Sequence, residues 1–280
     1  MKNGDIWRIA IFKNFIFLVL DKVVDKDLCK MKKTKRSGLT SNQERLQSIL
    51  EYKKYRLIKR NELISLISDH KISKNPKYLV KSMLLKKRLV SFKKGYYIVI
   101  PVSSINKNIG IDNIELNDYL LESKDYYIGL YNAFNLHGFT EQIPNKLFVF
   151  NTRYSFDKEI LHYKFKFFKV KKDKLFGIVK DKYPYSDKER TIIDALDYPE
   201  YLGGLSEVLE KVKSSRYDKN KLVDYAVKYN SIKIIKLVGL LTGSSKLFNL
   251  LKKKRALNYY TTIKKTRTKL LEKKWQIRLI

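Results

Sequence analysis

Between residues 41 and 101, three short helical patterns precede two alternating segments, and this succession constrains the fold more than any other feature. Apolar residues at three- and four-residue spacing predict helices in QERLQSILEYKKY, in ELISLIS and from Tyr78 to Lys87. Ser73 is expected to cap the third helix, with Pro76 in its first turn. Two alternating segments around Lys93-Lys94-Gly95 predict a hairpin, because glycine supplies the turn conformation. The sequence therefore predicts a winged helix-turn-helix.

A winged helix of this kind places its third helix in the major groove of DNA and its wing on an adjacent phosphate backbone. Asn75 is the side chain at the start of that helix able to contact adenine through two hydrogen bonds. The lysines at the hairpin tip are expected to contact phosphates. The alternative is a winged helix that contacts protein, with its lysines merely solvated. The candidate DNA-binding residues are Lys74, Asn75, Lys77, Tyr78, Lys81, Lys93, Lys94 and Tyr96.

The positive charge of the chain is concentrated in two regions. Its 60 Lys and Arg against 28 Asp and Glu give a net charge of +32. Residues 31–101 hold 19 basic and 4 acidic residues, and residues 246–280 hold 12 and 1, whereas residues 1–30 and 102–245 are nearly balanced. A codon bias toward lysine would not confine the excess in this way. Clustered cations indicate a polyanionic partner, and we expect nucleic acid rather than an anionic membrane or simple solvation.

Few residues are suited to catalysis or metal binding. Cys29 is the only cysteine, which excludes a disulfide framework, and no cysteine or histidine cluster has the spacing of a zinc site. The sequence contains no Ser-His-Asp arrangement, phosphate-binding loop or glycine-rich cofactor motif. We therefore expect a protein that is not an enzyme and that has no metal site and no cofactor.

The first thirty residues are expected to lie outside the fold. The apolar run from Ile9 to Leu20 is shorter than the roughly 20 residues that a membrane-spanning helix needs, and no signal-peptide cleavage site follows it. The extension is interpreted as a segment packed on the body or as an upstream start, with Met31 beginning the native chain. Both interpretations predict a cytoplasmic protein without membrane contact.

The middle of the chain carries the patterns of a second domain. The stretch from Tyr126 to Arg153 predicts a helix ending at His137-Gly138 and then a strand. Asp187 is expected to cap a later helix on which Arg190 and Asp194 form a pair four residues apart. The phenylalanines of KFKFFK are expected to face inward on a strand; the alternative is a basic strand on which bases stack.

These segments resemble the AbiEi family, the antitoxins and transcriptional regulators of AbiE-type toxin–antitoxin systems. The family's wing is matched by Gly95–Pro101, and its segment YYxGxxxALxLHGLTEQxP is matched by Tyr126–Pro144. Ser186–Glu207 matches the type S-D-x-E-R-T-x-x-D-x-L…G-G-L-x-E. The resemblance covers residues 41–245 and does not extend to the lysine-rich tail.

The resemblance implies an antitoxin that binds DNA sequence-specifically, represses its own operon, counteracts a nucleotidyltransferase toxin with or without direct contact, and takes part in phage defence. The expected operator is double-stranded DNA with an inverted repeat. One alternative is a toxin-binding interaction protein with secondary DNA binding. The other is a plain winged-helix transcriptional regulator without a toxin.

We expect an α/β chain of the α+β class in five parts. The parts are an extension (1–30), a winged helix-turn-helix (31–101), a linker (102–125), an AbiEi-like domain with a small sheet and several helices (126–245), and a basic helical tail (246–280).

The tail has a charge of +11, which predicts a second phosphate-contacting surface or a face for an acidic partner protein.

Overall fold

The computed structural model describes residues 38–103, 112–121, 123, 125–263 and 270–280. The extension over residues 1–30 and the start at Met31 lie outside these residues. The fold is α+β, which confirms the predicted fold class. It divides into a first unit, which runs to Ser91 and includes Gly95–Val102, and a second unit, which consists of Phe92–Lys94 and Ser103–Ile280. None of the described helices is long and apolar enough to cross a membrane.

The first unit contains the three helices and, except for Phe92–Lys94 at its tip, the hairpin expected from the sequence, together with a short strand that was not expected. That strand, β1, pairs antiparallel with β3, and the sheet order is β1-β3-β2. Helix α1 begins with a capping box between Thr40 and Gln43. The elements are α1 (Ser41–Tyr52), β1 (Leu57–Lys59), α2 (Arg60–Asp69), α3 (Pro76–Leu85), β2 (Leu89–Lys93) and β3 (Tyr96–Val99).

The core of the first unit forms where the apolar faces of the three helices meet. The side chains that the helical spacing assigned to one face are buried together with residues of the sheet. Leu46, Leu63 and Met83, one from each helix, are fully buried in it. The other buried members of this core are Leu50, Ile58, Leu66, Ile67, Ile72, Leu79, Val80, Leu89 and Val99.

The second unit is built on a mixed six-stranded sheet with the strand order β6-β7-β5-β4-β9-β8. The pairs β5–β7 and β4–β9 are parallel, and the other neighbours are antiparallel. Its elements are α4 (Asn113–Leu121), β4 (Tyr126–Ile128), α5 (Leu130–Leu136), β5 (Lys146–Asn151), β6 (Phe156–Ile160), β7 (Tyr163–Lys169), β8 (Ile178–Lys180), β9 (Pro184–Ser186), α6 (Lys188–Asp197), α7 (Leu205–Lys213), α8 (Lys219–Tyr229), α9 (Ile232–Thr242), α10 (Ser245–Lys253), β10 (Thr261–Ile263), β11 (Leu270–Glu272) and β12 (Ile277–Leu279).

Strand β7 settles one of the alternatives left open by the sequence. Phe165 and Phe167 are fully buried, whereas Lys164 and Lys169 are exposed. Phe168 is also buried, and its ring stacks on that of Phe150 at 4.8 Å between centroids. The phenylalanines therefore pack in the core, as expected, and are not available for stacking with bases.

Two predictions for the start of the second unit are wrong. Tyr126–Ile128 is strand β4 rather than the beginning of a helix. The prediction failed because all three residues of the strand are buried and so give no alternating pattern. Residues 113–121 form helix α4 instead of a linker, and Ile114, Leu116 and Leu121 are buried there. Tyr126 donates a hydrogen bond to Asp118 on this helix, so the polar segment is tied to the sheet.

The C-terminal tail is helical only as far as Lys253, which corrects the prediction of a helical tail. Strands β10 to β12 form a small sheet in the order β10-β12-β11. Ile277 and Leu279 belong to the same apolar core as the helices of the second unit. Trp275 lies directly against Gly239, where an added Cβ would come within 2.2 Å of the indole ring. The described residues 246–263 and 270–280 are therefore part of the second unit.

Candidate nucleic-acid interface

Helix α3 is the element that the sequence predicted to read DNA, and its start differs from the prediction. Asn75 is the N-cap, because its side-chain Oδ1 accepts a hydrogen bond from the backbone N–H of Tyr78 at 3.1 Å. Ser73 bonds to Asn75 through its hydroxyl group and does not cap the helix. The cap engages one acceptor position of the amide oxygen through which asparagine also contacts adenine. Asn75 therefore holds the helix start, and its contact with adenine stays a prediction.

One face of α3 presents the remaining predicted residues to solvent. Lys77, Tyr78 and Lys81 are exposed and lie within one helical turn of each other, opposite the buried side chains of Leu79 and Met83. Lys74 is exposed just before the cap. The structure thus brings four of the predicted residues to the leading end and outer face of one helix, where a groove could accommodate them.

The charge around α3 has a single sign over a long stretch of chain. From His70 to Pro101 the sequence contains nine Lys and Arg residues and no Asp or Glu. The four acidic residues between 31 and 101 all lie earlier in the sequence, and Glu62 among them accepts a hydrogen bond from Tyr55. That stretch of sequence therefore contains no carboxylate to neutralise the lysines of α3.

The hairpin residues are placed differently from those of α3. Lys93 donates a hydrogen bond from Nζ to the backbone carbonyl of Tyr119 at 2.6 Å, so its ammonium group is held by protein. Lys94 is exposed in the turn, next to Gly95 with its positive φ of 80°. Tyr96 is half-buried, and the Nζ of Lys59 lies 5.8 Å from its ring centroid. Lys59 was missed from the sequence because strand β1 was missed.

The motif residues of the second unit form a buried network. Asp187 caps α6 by accepting the backbone N–H of Arg190, as predicted. Arg190 and Asp194 form the predicted ion pair at 2.9 Å, and both side chains are fully buried. Tyr127 accepts a hydrogen bond from Nη2 of Arg190 at 2.7 Å and donates to Asp194 at 3.1 Å. The guanidinium also lies 4.6 Å from the ring centroid of Phe176.

Burial dominates the electrostatics of this network. Desolvation raises the pKa of Asp194 to about 6, against the opposing effect of the neighbouring Arg190. Desolvation also raises the pKa of Tyr127 well above its ordinary value. Nε and Nη1 of Arg190 have no hydrogen-bond partner, so the aromatic rings around the guanidinium supply part of its stabilisation. These residues are buried and hold the fold; they are not exposed to a ligand.

The described residues contain no group of three or more His, Cys, Asp or Glu side chains that could hold a metal ion.

His137, which directly follows helix α5, has a structural partner. His137 is the C-cap of α5, and its Nε2 lies 2.8 Å from the carbonyl oxygen of Ser186. This contact joins the end of α5 to strand β9.

Comparisons with known proteins identify a similar fold. No family model matches the chain, and no curated protein matches it. The structure is similar to the crystal structure of the Rv2827c protein from Mycobacterium tuberculosis, with a TM-score of 0.61. The similarity covers 86% of this chain and 92% of that chain, at 11% sequence identity. At this level of identity the similarity concerns the fold alone.

The cap at α3 leads to a first prediction. We expect Asn75→Ala to lower the free energy of unfolding by about 1 kcal/mol, because the N–H of Tyr78 loses its acceptor. Asn75→Ser is the matched control, since serine caps as well as asparagine and its stability should stay close to that of the parent. Urea unfolding of the three proteins gives the comparison. Equal stability of all three would show that the side chain is not a cap.

The buried network leads to a second prediction. We expect Asp194→Asn to destabilise the protein by about 3–5 kcal/mol, because the cation of Arg190 stays buried without its counter-charge. Asp224→Asn is the matched control: Asp224 pairs with Lys246 on the surface, where such a pair contributes at most about 1 kcal/mol. The measurement is the denaturation midpoint of each variant. A loss for Asp194→Asn no larger than that for Asp224→Asn would contradict the assignment.

Proposed function

We propose that this chain is a sequence-specific DNA-binding protein of the cytoplasm whose first unit acts as a winged helix. The observation that carries the proposal is the outer face of α3, with exposed Lys77, Tyr78 and Lys81 and no nearby acidic residue in the sequence. A helix fits the major groove of B-form DNA, which is about 12 Å wide. The operator on this proposal is duplex DNA, and an inverted repeat would engage two copies of the chain.

Because Asn75 caps the helix, base contacts on this proposal fall mainly to other side chains of α3. With its amide oxygen engaged, the readers on α3 are Lys77 and Lys81, because lysine can donate to O6 and N7 of guanine in the major groove. Tyr78 is 61% exposed and offers a ring to thymine methyl groups or a hydroxyl group to a phosphate. Lys74 and Lys94 are proposed to contact phosphates.

The resemblance to the AbiEi family extends the proposal. On that basis the chain represses its own operon and counteracts a cognate nucleotidyltransferase toxin in phage defence. Arg190 and Asp194, which carry part of the resemblance, are buried, so toxin neutralisation would depend on other residues. Leu136 and Val179 are 59% and 53% exposed beside a cavity of about 270 Å³, which supports direct protein contact at this place.

DNA recognition by α3 is tested by mobility shift with the chain's own upstream region and a scrambled duplex as competitor. We expect Lys77→Ala and Lys81→Ala each to reduce the preference for the upstream duplex by tenfold or more, about 1.4 kcal/mol. Arg45→Ala removes the same charge from an exposed position on α1 and is the matched control. It should leave the preference unchanged.

Equal binding of both duplexes by the parent protein would overturn the proposal. If both α3 variants keep the preference for the upstream duplex, the surface that reads the DNA sequence does not lie on this helix. Salt dependence separates the two effects, since contacts to phosphates weaken with salt for every sequence alike.

Direct toxin contact is tested separately by co-expression with a neighbouring nucleotidyltransferase gene. We expect the two proteins to co-purify, and we expect Leu136→Glu together with Val179→Glu to reduce the recovered partner several-fold, because two charges enter an apolar contact. Lys180→Glu, an exposed change beside Val179, is the control. Undiminished co-purification of the double variant would exclude this surface.

A further inference from the structure

The last 35 residues of the chain carry a large excess of positive over negative side chains. The segment 246–280 contains twelve Lys and Arg residues and one acidic residue, Glu272. The structure describes residues 246–263 and 270–280 of it, and these described residues are here called the C-terminal basic segment. The resemblance to the AbiEi family ends before this segment, and no role for it follows from that resemblance.

The C-terminal basic segment is fixed to the body of the second unit. The Trp275 indole is buried and meets the ring of Phe248 edge-on at 5.7 Å. Lys236 on α9 is buried and donates hydrogen bonds to the backbone carbonyls of Tyr259 at 2.8 Å and Gln276 at 3.1 Å. The exposed cations of the segment are therefore displayed from an ordered scaffold.

Most of these cations lack a protein counter-charge. Lys246 pairs with Asp224, and Lys254 donates to the side chain of Asn230. The C-terminal end of α10 carries only about half a negative charge, so the helix dipole balances less than one of the cations near it. Within the described part of the chain, no carboxylate forms an ion pair with the exposed residues Lys252, Lys253, Arg255, Lys273, Lys274 and Arg278.

Cations lie on both elements that one aromatic pair joins. The ring of Phe248 on α10 meets the ring of Trp275 before β12. Lys252 follows Phe248 by one helical turn on α10. The Nζ of Lys274 lies 5.9 Å from the ring centroid of Trp275.

The small sheet adds a further cation on its outer face. Arg278 is exposed on β12, and its neighbours in the sheet are Thr262 on β10 and Leu271 on β11. Its guanidinium lies 5.2 Å from the ring centroid of Tyr260, which orients the side chain. Ile277 and Leu279, on either side of Arg278, are buried, so the alternation directs the charge to solvent.

We propose that the C-terminal basic segment binds the phosphate backbone of duplex DNA, as a second contact surface that adds affinity without reading sequence. The proposal rests on the proposed function only in taking DNA as the polyanion. Single strands are bound through several exposed aromatic platforms, whereas in this segment Trp275 is buried, Tyr260 is half-buried against Arg278, and Tyr259 is the one described ring that is mostly exposed, at 52%. Lysine is depleted at protein interfaces, which disfavours an acidic protein as the partner.

The slope of binding against salt tests the proposal. We compare the parent full-length chain with the triple variant Lys252→Gln, Lys273→Gln and Lys274→Gln, using fluorescence anisotropy with a labelled scrambled duplex between about 50 and 200 mM salt. Each lost phosphate contact reduces the slope of log K against log salt by about 0.9, so we expect a reduction of about 2 to 3. The preference for the upstream duplex should be unchanged.

A second triple variant removes the same charge elsewhere on the second unit. Lys164→Gln, Lys180→Gln and Lys213→Gln all change exposed lysines outside the C-terminal basic segment, and this variant should keep the parent slope. Matching thermal unfolding of both variants shows that each is folded.

An unchanged slope in the first triple variant, or equal reductions in both, would overturn the proposal. An unchanged slope together with reduced recovery of an acidic protein would assign the surface to that partner. The absence of any preference for the upstream duplex would overturn the proposed function but leave this test intact, because scrambled DNA is the ligand.

Discussion

The second unit depends on keeping one cation, Arg190, away from water. Each buried ion of a pair costs several kcal/mol to desolvate, and this cost is offset only when the charges and hydrogen bonds around it are well placed. Here the carboxylate of Asp194, the hydroxyl group of Tyr127 and the rings of Phe176 and Tyr229 surround the guanidinium. These partners come from helix α6, strand β4, the loop before β8 and helix α8, so one side chain ties the sheet to the helices that cover it.

The elements that sequence patterns identified are those with one buried face. Helix α3 and strand β7 each have a polar side and an apolar side, so the spacing of their apolar residues predicts the element type. Strand β4 is buried on both sides and α4 is rich in polar residues, so neither has the pattern of its type. The strands after α10 were missed for another reason: they are three residues long and are held by Trp275 and Lys236, contacts that only the tertiary structure supplies.

The candidate DNA-binding face was predicted in part. The lysines of α3 could be placed because helical spacing fixes which residues share a face. The cap at Asn75 was not predicted, since asparagine suits both a cap and a contact with adenine, and the hydrogen bond from Tyr78 is visible only in the structure. The hydrogen bond of Lys93 was not predicted, because its partner, the carbonyl of Tyr119, lies in a segment whose helix was not predicted. The clustering of Lys and Arg indicated the candidate region but not the hydrogen-bond partners of its individual residues.

The position of Leu279 in the core has a consequence for how the chain is made. Every member of the first unit's apolar core precedes Pro101, so that core is available early in synthesis. The core of the second unit includes Ile277 and Leu279 and cannot close until they have left the ribosome. At translation rates of roughly 5–20 residues per second, the interval between the two events is on the order of 10–40 s. During it, the growing polypeptide carries an assembled basic unit beside an incomplete apolar one, whose open surface is exposed to chaperones.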